Sequence, residues 1–210
     1  MEKKGLLVVV SGFAGSGKGT LMKELVKNYS NYSLSVSATT RNPRPGELDG
    51  REYFFKTTEE FEAMIADGAF VEYARYVNNY YGTPSQYVFE QLEAGKDVIL
   101  EIEIQGALQI KKKLPDTLLL FVTPPDADTL KNRLVGRGTE DAATIELRLA
   151  RAAKESEGIE NYDYIVVNDD LEECVQSMHS IIQNEKYRTF RNLSFINKIR
   201  SGLSGFAKGE

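Results

Sequence analysis

Among its 210 residues the chain has one cysteine, one histidine and no tryptophan. A lone Cys174 excludes an intramolecular disulfide, and a single histidine, His179, leaves too few soft ligands for a Cys/His zinc site. Both fall in a helical pattern from Leu171 to about Lys186, with Val175, Met178, Ile181 and Ile182 on its apolar side. Packing is therefore their expected job, not nucleophilic or acid–base chemistry. No apolar run approaches the roughly 20 residues that span a bilayer, and the stretch after Met1-Glu2-Lys3-Lys4 is too short for a secretory signal. No membrane contact is expected, and the expected setting is soluble, reducing and cytoplasmic. Cations are in deficit too: 26 Lys and Arg stand against 31 Asp and Glu, a net charge of −5. That balance argues against a nucleic-acid partner held by bulk electrostatics, so any anionic ligand has to be met by cations gathered in one cleft. Nothing indicates an obligatory protein partner.

What the chain does have is concentrated at residues 6 to 20. Leu6-Leu7-Val8-Val9-Val10 reads as a strand buried on both faces, of the kind found in parallel sheets. It runs into Ser11-Gly12-Phe13-Ala14-Gly15-Ser16-Gly17-Lys18-Gly19-Thr20, after which Leu21, Met22, Leu25 and Val26 mark one apolar helical face. The glycines allow a tight curl whose backbone N–H groups converge on an anion, reinforced by the positive end of the following helix. Gly12, Gly17 and Lys18 match the spacing G-x-x-x-x-G-K, in which the lysine reaches the outer phosphates of a nucleoside triphosphate. Gly19 stands where the general motif has Ser or Thr, so the hydroxyl for magnesium falls to Thr20 or Ser16, and the pattern does not choose between them.

Further along, Leu34-Ser35-Val36-Ser37 alternates like a short strand, and Pro43 and Pro45 stiffen the segment that follows, holding Arg41 and Arg44 three residues apart. Two guanidiniums that cannot wander suit a phosphate. Residues 38 to 85 look like a small aromatic insertion: a strand near Tyr53-Phe54-Phe55, a helix Thr58 to Ala66 capped by Thr58, and a strand Ala69 to Ala74 carrying Glu72. A turn through Asn78-Asn79-Tyr80-Tyr81-Gly82-Thr83-Pro84 is expected to lead to a helix Gln86 to Ala94. Asp97 to Ile104 reads as a core strand with Glu101 and Glu103 at its carboxyl end, where open α/β sheets keep their ligands. Glu101 is positioned to act at a P-loop metal through water, and Glu103 to face substrate. Helices Gln105 to Lys113, Asp126 to Val135, Asp141 to Glu157 and Leu171 to Lys186 alternate with strands Leu118 to Val122 and Tyr164 to Val167. That order implies an α/β fold with a mostly parallel sheet and helices on both faces. Arg133 and Arg137 lie four apart beside Gly136 and Gly138, with Arg148 in the next helix, a pattern suited to an arginine-bearing lid. Residues 187 to 210 read as a final helix and a frayed tail.

These motifs together, with Ile165-Val166-Val167-Asn168-Asp169-Asp170, resemble the guanylate kinase family over about residues 5 to 185. The resemblance implies a P-loop NTPase-type core at 5–37, 86–125 and 159–187, a GMP-binding region at 38–85, a lid at 126–158 and a tail from 188. It implies transfer of the γ-phosphoryl of ATP to GMP with Mg²⁺. By position, the loop from Gly12 to Thr20, with Arg133, Arg137 and Asn168, would bind ATP; Ser37, Arg41, Arg44, Tyr53 and Tyr81 would hold the GMP phosphate. Glu72, Thr83 and Glu103, with Gly82 and Glu101 nearby, would read guanine, the Thr83 hydroxyl donating to O6. Lys18, Arg41, Arg133, Arg137 and Arg148 would be the catalytic cations. The chain departs from the family pattern at Phe13-Ala14, where Pro-Ser is common, and at Glu103, where the shorter Asp is common. Two other readings stay open: an inactive guanylate-kinase-like module gripping phosphopeptides, and a nucleoside monophosphate kinase of different base preference.

Overall fold

The aliphatic run at the start of the chain becomes the middle of a sheet because it has no polar face to offer water. In the computed structural model, which describes residues 4–76, 78–136 and 141–206, β1 (Leu7–Gly12) lies between β7 (Asp97–Glu101) and β8 (Leu118–Thr123). β2 (Tyr32–Leu34) and β9 (Tyr164–Val167) form the edges of this five-stranded sheet, and every pairing is parallel. Helices α1 (Lys18–Asn28) and α7 (Leu171–Glu185) cover one face, packing Leu21, Leu25, Val175, Met178 and Ile182 on Val8, Val10 and Leu120. Helices α3 (Ser85–Glu93) and α4 (Ile104–Lys113) cover the other, packing Val88, Leu92, Ala107 and Ile110 on Val9, Leu100 and Leu119. Cys174 is buried in the first of these layers and His179 stacks on Tyr29, ring centroids 3.7 Å apart, so both serve packing as expected. No helix among the described residues is long and apolar enough to cross a membrane.

A second sheet has the order β4 (Phe54–Phe55), β3 (Ala38–Thr39), β6 (Asn79–Pro84), β5 (Phe70–Tyr76). Helix α2 (Thr58–Ala66) packs on it through Phe61, stacked on Phe70 and Tyr80 with centroids 4.5 and 5.2 Å apart. Thr57, one residue before the expected cap, starts this helix: its hydroxyl accepts from the Glu60 N–H and the Glu60 carboxylate accepts from its own N–H, a reciprocal box that Thr58 is not placed to make. The strand expected at Leu34 to Ser37 also shifts. β2 stops at Leu34 and the chain crosses between sheets, Ser35 donating to Ile99 on one side while the Ser37 carbonyl accepts from Phe54 on the other. An extended crossover alternates as a strand does. β7 likewise ends at Glu101, short of the expected Ile104, because Glu103 already stands at the N-cap of α4. Two further helices, α5 (Ala127–Gly136) and α6 (Ala142–Ser156), lie beyond β8, and a 3₁₀ turn at Thr189–Asn192 leads into α8 (Leu193–Leu203).

Asp97 is the polar hub of this core. Its fully buried carboxylate accepts from the Leu6 N–H at 2.9 Å, Asn31 at 3.0 Å, Gln183 at 3.2 Å and the Lys186 ammonium at 2.6 Å, tying β1, β7 and α7 together. Asp97→Ala strands those donors and leaves Lys186 unpaired, so urea titration should show a loss of about 3 kcal/mol; a loss below about 1 kcal/mol would remove Asp97 from that role.

Candidate active site

The loop between β1 and α1 needs glycine at Gly17 for two reasons. Its φ is +90°, a left-handed conformation, and a Cβ there would stand 2.4 Å from the Asn168 amide nitrogen. That amide donates to the Ser16 carbonyl at 2.8 Å, so the buried Asn168, reached through the chain leaving β9, braces the phosphate loop from below. Gly17→Ala is therefore expected to cost about 1–2 kcal/mol in backbone strain and to displace Asn168, read as a lower melting temperature together with weaker nucleotide binding. Ser16 is buried and turned inward, whereas Thr20 is exposed on the cleft side. Of the two hydroxyls left open by Gly19, Thr20 is the one that lines the cleft over the loop.

Lys18, Thr20, Lys23 and Glu101 line one cleft of about 390 Å³ over the loop. The Lys18 ammonium donates to the carbonyls of Gly12 at 2.7 Å and Phe13 at 3.1 Å, held at the rim of the curl. The surrounding protein pushes the Glu101 carboxyl above its ordinary range; Lys18 draws it back down and Glu103 adds to the rise. Phe13 is buried edge-on to Phe121, centroids 5.0 Å apart, among Leu130 and Leu134 of α5 and Ala152 of α6. At the position where the family often has proline, this ring fastens the phosphate loop to the two helices that follow β8.

Arg41 and Arg44 occupy the stiff segment after β3. The Arg41 guanidinium lies 5.3 Å from the Tyr53 ring centre and 2.9 Å from Glu47, which holds its pKa up and its geometry fixed. Glu47 also accepts from the Arg44 N–H at 2.7 Å, so one carboxylate organises both arginines. Tyr53 meets Tyr81 edge-on at 6.1 Å, and burial raises its phenol pKa. Ser37 is half-buried at the crossover that brings this cluster beside the central sheet.

Glu72 of β5 is buried and accepts from the Thr83 hydroxyl of β6 at 2.7 Å, and burial raises its carboxyl pKa despite that bond. Its other oxygen approaches α4 so closely that a Cβ on Gly106 would stand 2.9 Å from it. In this structure the single Thr83 hydroxyl proton is directed at the Glu72 carboxylate. Glu103, at the N-cap of α4, faces another partner. Its side chain is 70% exposed and pairs with Arg151 of α6 at 2.6 Å, the same arginine holding Glu155 at 2.7 Å. Arg133 and Arg148 are half-buried on α5 and α6, and Arg137 lies outside the described residues.

A sequence profile of the guanylate kinase family matches residues 4–185. The chain belongs to the guanylate kinase family. It is 51% identical over 191 residues to a guanylate kinase of Lactococcus lactis, covering 91% of this chain and 93% of that one. It is 49% identical over 205 residues to a guanylate kinase of Oceanobacillus iheyensis, covering 97% of this chain and 100% of that one. Among solved structures, a guanylate kinase from Anaplasma phagocytophilum superposes with a TM-score of 0.75 at 30% identity, covering 93% of this chain and 94% of that one.

Three residues of this guanylate kinase family member escaped sequence reasoning. Glu47 carried one signal, an acid six residues beyond Arg41 in a basic loop. Gly106, mid-helix, carried another, since an interior glycine marks a close approach. Arg151 carried none, being one of several arginines on a polar helix.

Proposed function

We propose that this chain transfers the γ-phosphoryl group of ATP to GMP, giving ADP and GDP, in the cytoplasm. The observation that carries the reading is the intact phosphate loop, with Lys18, Thr20 and Glu101 facing one cleft, in a chain that also holds a buried, oriented Glu72. A GMP phosphate oxygen attacks the γ-phosphorus in line, the bond from the γ-phosphorus to the β–γ bridging oxygen breaks, and ADP leaves. Lys18, with Arg133, Arg137 and Arg148, offsets charge on the transferring group; Arg41, Arg44, Ser37, Tyr53 and Tyr81 hold the acceptor phosphate. The carboxylate of Glu72 accepts from guanine N1–H and the 2-amino group, which adenine does not reproduce. Glu103 joins it on leaving Arg151. The 38–85 region and the helices α5 and α6 close over the phosphates and exclude water.

The donor set suits Mg²⁺: a threonine hydroxyl and a carboxylate beside a phosphate site are hard oxygen ligands, and magnesium keeps most of its shell as water and phosphate oxygen. Thr20 would hold it directly and Glu101 through water. When bound, it neutralises charge on the β- and γ-phosphates.

The test is coupled ADP release with GMP, dGMP, AMP, UMP and CMP in parallel, with Lys18→Ala as the control for contaminating kinase. Strong GMP preference, lost in the variant, supports the reading. Activity without that preference indicates a kinase of different base choice, and silence with every acceptor indicates a binding module.

A further inference from the structure

Phe13 is held at both ends. Its backbone belongs to the phosphate loop: the Phe13 carbonyl accepts from the Ser16 N–H at 3.0 Å, closing the first turn, and from the Lys18 ammonium at 3.1 Å. Its ring leaves the loop and enters an apolar socket. Phe121 of β8 meets the ring edge-on at 5.0 Å and Tyr162 meets Phe121 in the same way at 5.2 Å, a column of three aromatic rings in one buried cluster with Leu130, Leu134 and Ala152. The crest of the loop sits on the same side chains, since a Cβ on Gly15 would stand 3.0 Å from Leu134 and 3.4 Å from Leu130.

This socket is also the seat of α5 and α6. Among the described residues, α5 buries Leu130 and Leu134 and α6 buries Ala152, and all three belong to the cluster around Phe13. Ile145 and Leu149 of α6, partly buried, pack on it too. Helical spacing puts Arg133 at the flank of the Leu130 and Leu134 stripe, and Arg148 at the flank of the Ile145, Leu149 and Ala152 stripe. Both arginines therefore stand beside the apolar anchors of their helices, and the depth of those anchors sets how far the guanidiniums stand from the loop. Helices with so few buried side chains shift when a partner of those side chains is truncated, because the surroundings collapse into part of the void.

We infer, resting on the function proposed above, that Phe13 is a positioning residue for phosphoryl transfer: its ring fixes where Arg133 and Arg148 stand relative to Lys18, whose ammonium its own carbonyl holds. One residue thus registers the lysine of the loop with the arginines of two later helices. Charge on the transferring group spreads over three oxygens, so catalysis depends on how cations are placed around it, and a displacement of about 1 Å costs up to about 100-fold. ATP is gripped by the backbone N–H groups of the loop, which the ring does not supply. Loss of the ring therefore falls on kcat and spares the affinity for ATP.

The test compares Phe13→Ala, Phe13→Leu, Arg133→Ala and the double variant of Phe13→Ala with Arg133→Ala in coupled ADP release with GMP, each below its melting onset. Phe13→Ala is expected to lower kcat about 30-fold with KM for ATP within about threefold of the parent, and Phe13→Leu, which keeps an apolar plug, to stay within about threefold in both. In the Arg133→Ala background the same truncation should lower kcat by less than about tenfold, because part of its effect runs through the arginine already removed. Losses that multiply in full, or a loss confined to KM for ATP, overturn the assignment. If Phe13→Ala does not fold, Leu134→Ala truncates the same socket from the helix side with the loop intact and is held to the same outcomes. Hydrogen exchange of the nucleotide-free chain gives a readout that needs no acceptor: amides of α5 and α6 should exchange faster in the truncated variant while those of α1 and α7 keep parental rates. Parental rates in α5 and α6 overturn the assignment as well. A parent silent with every acceptor overturns the proposed function, and the exchange result alone then decides whether Phe13 anchors the two helices.

Discussion

Lys18→Ala is expected to slow ADP formation from ATP and GMP by roughly three orders of magnitude, with most of the loss in kcat. In the structure the ammonium is held between the carbonyls of Gly12 and Phe13, at the rim of the loop and in the same cleft as Glu101. An ammonium so placed meets phosphate oxygens whose charge grows as the bond to the leaving ADP breaks. Its contribution is therefore larger in the transition state than in bound ATP, which is the condition for an effect on kcat over KM. The two carbonyls it releases sit at an open cleft where water replaces it, so stability should change by less than about 1.5 kcal/mol. Steady-state kinetics beside thermal melts separate the two effects. A kcat loss under tenfold would place the charge stabilisation elsewhere, with the arginines of α5 and α6 as the next candidates.

Glu72→Gln should lower kcat/KM for GMP by about 10³-fold or more and collapse the preference for guanine, because the amide offers donors where guanine also offers donors. The same substitution should raise stability at neutral pH. Burial raises the Glu72 carboxyl pKa, which means that the folded chain holds that proton more tightly than the unfolded chain does. The group's contribution to stability is then complete below the ordinary carboxyl value of 4.5 and is lost as the pH rises through the raised value. Glutamine still accepts from Thr83 and carries no buried charge. Its advantage over the parent should be present at pH 7 and close as the pH falls below 4.5. Urea titrations at pH 7 and pH 4 read the difference directly; an advantage that is the same at both would mean that the carboxylate is not held against its charge. Loss of function with gain of stability is the expected signature of a binding group kept at a cost.

The Glu103–Arg151 pair qualifies how far the guanine reading extends. The family's usual Asp is one methylene shorter; the longer Glu103 reaches Arg151 on α6, at an exposed position where such a pair contributes at most about 1 kcal/mol. Bound guanine can displace a contact of that strength. On the proposed function, the order of base preference in the acceptor panel is therefore expected to depend chiefly on Glu72, which is buried, bonded to Thr83 and closely approached at Gly106.

Much of this protein is determined by local pattern. A β-branched run with no polar face can only be a central strand, Gly17 and Lys18 at their spacing can only curl and present a cation, and alternating strand and helix signals leave few topologies besides a parallel sheet covered on both sides. Those features depend on backbone sterics and on burial of apolar area, which neighbouring residues decide among themselves. Tertiary structure decided the rest. Leu34 to Ser37 alternates like a strand, but two sheets pull on its two ends and make it a crossover. Thr83 finds its partner in Glu72, eleven residues away on the neighbouring strand. The resting partner of Glu103 is Arg151, supplied by a helix some fifty residues on, and Asn168, from the chain end of β9, braces a loop formed at the start. A hydrogen bond or an ion pair goes to whichever partner the fold brings within about 3 Å, and that choice lies between segments distant in the chain, where no spacing or periodicity records it.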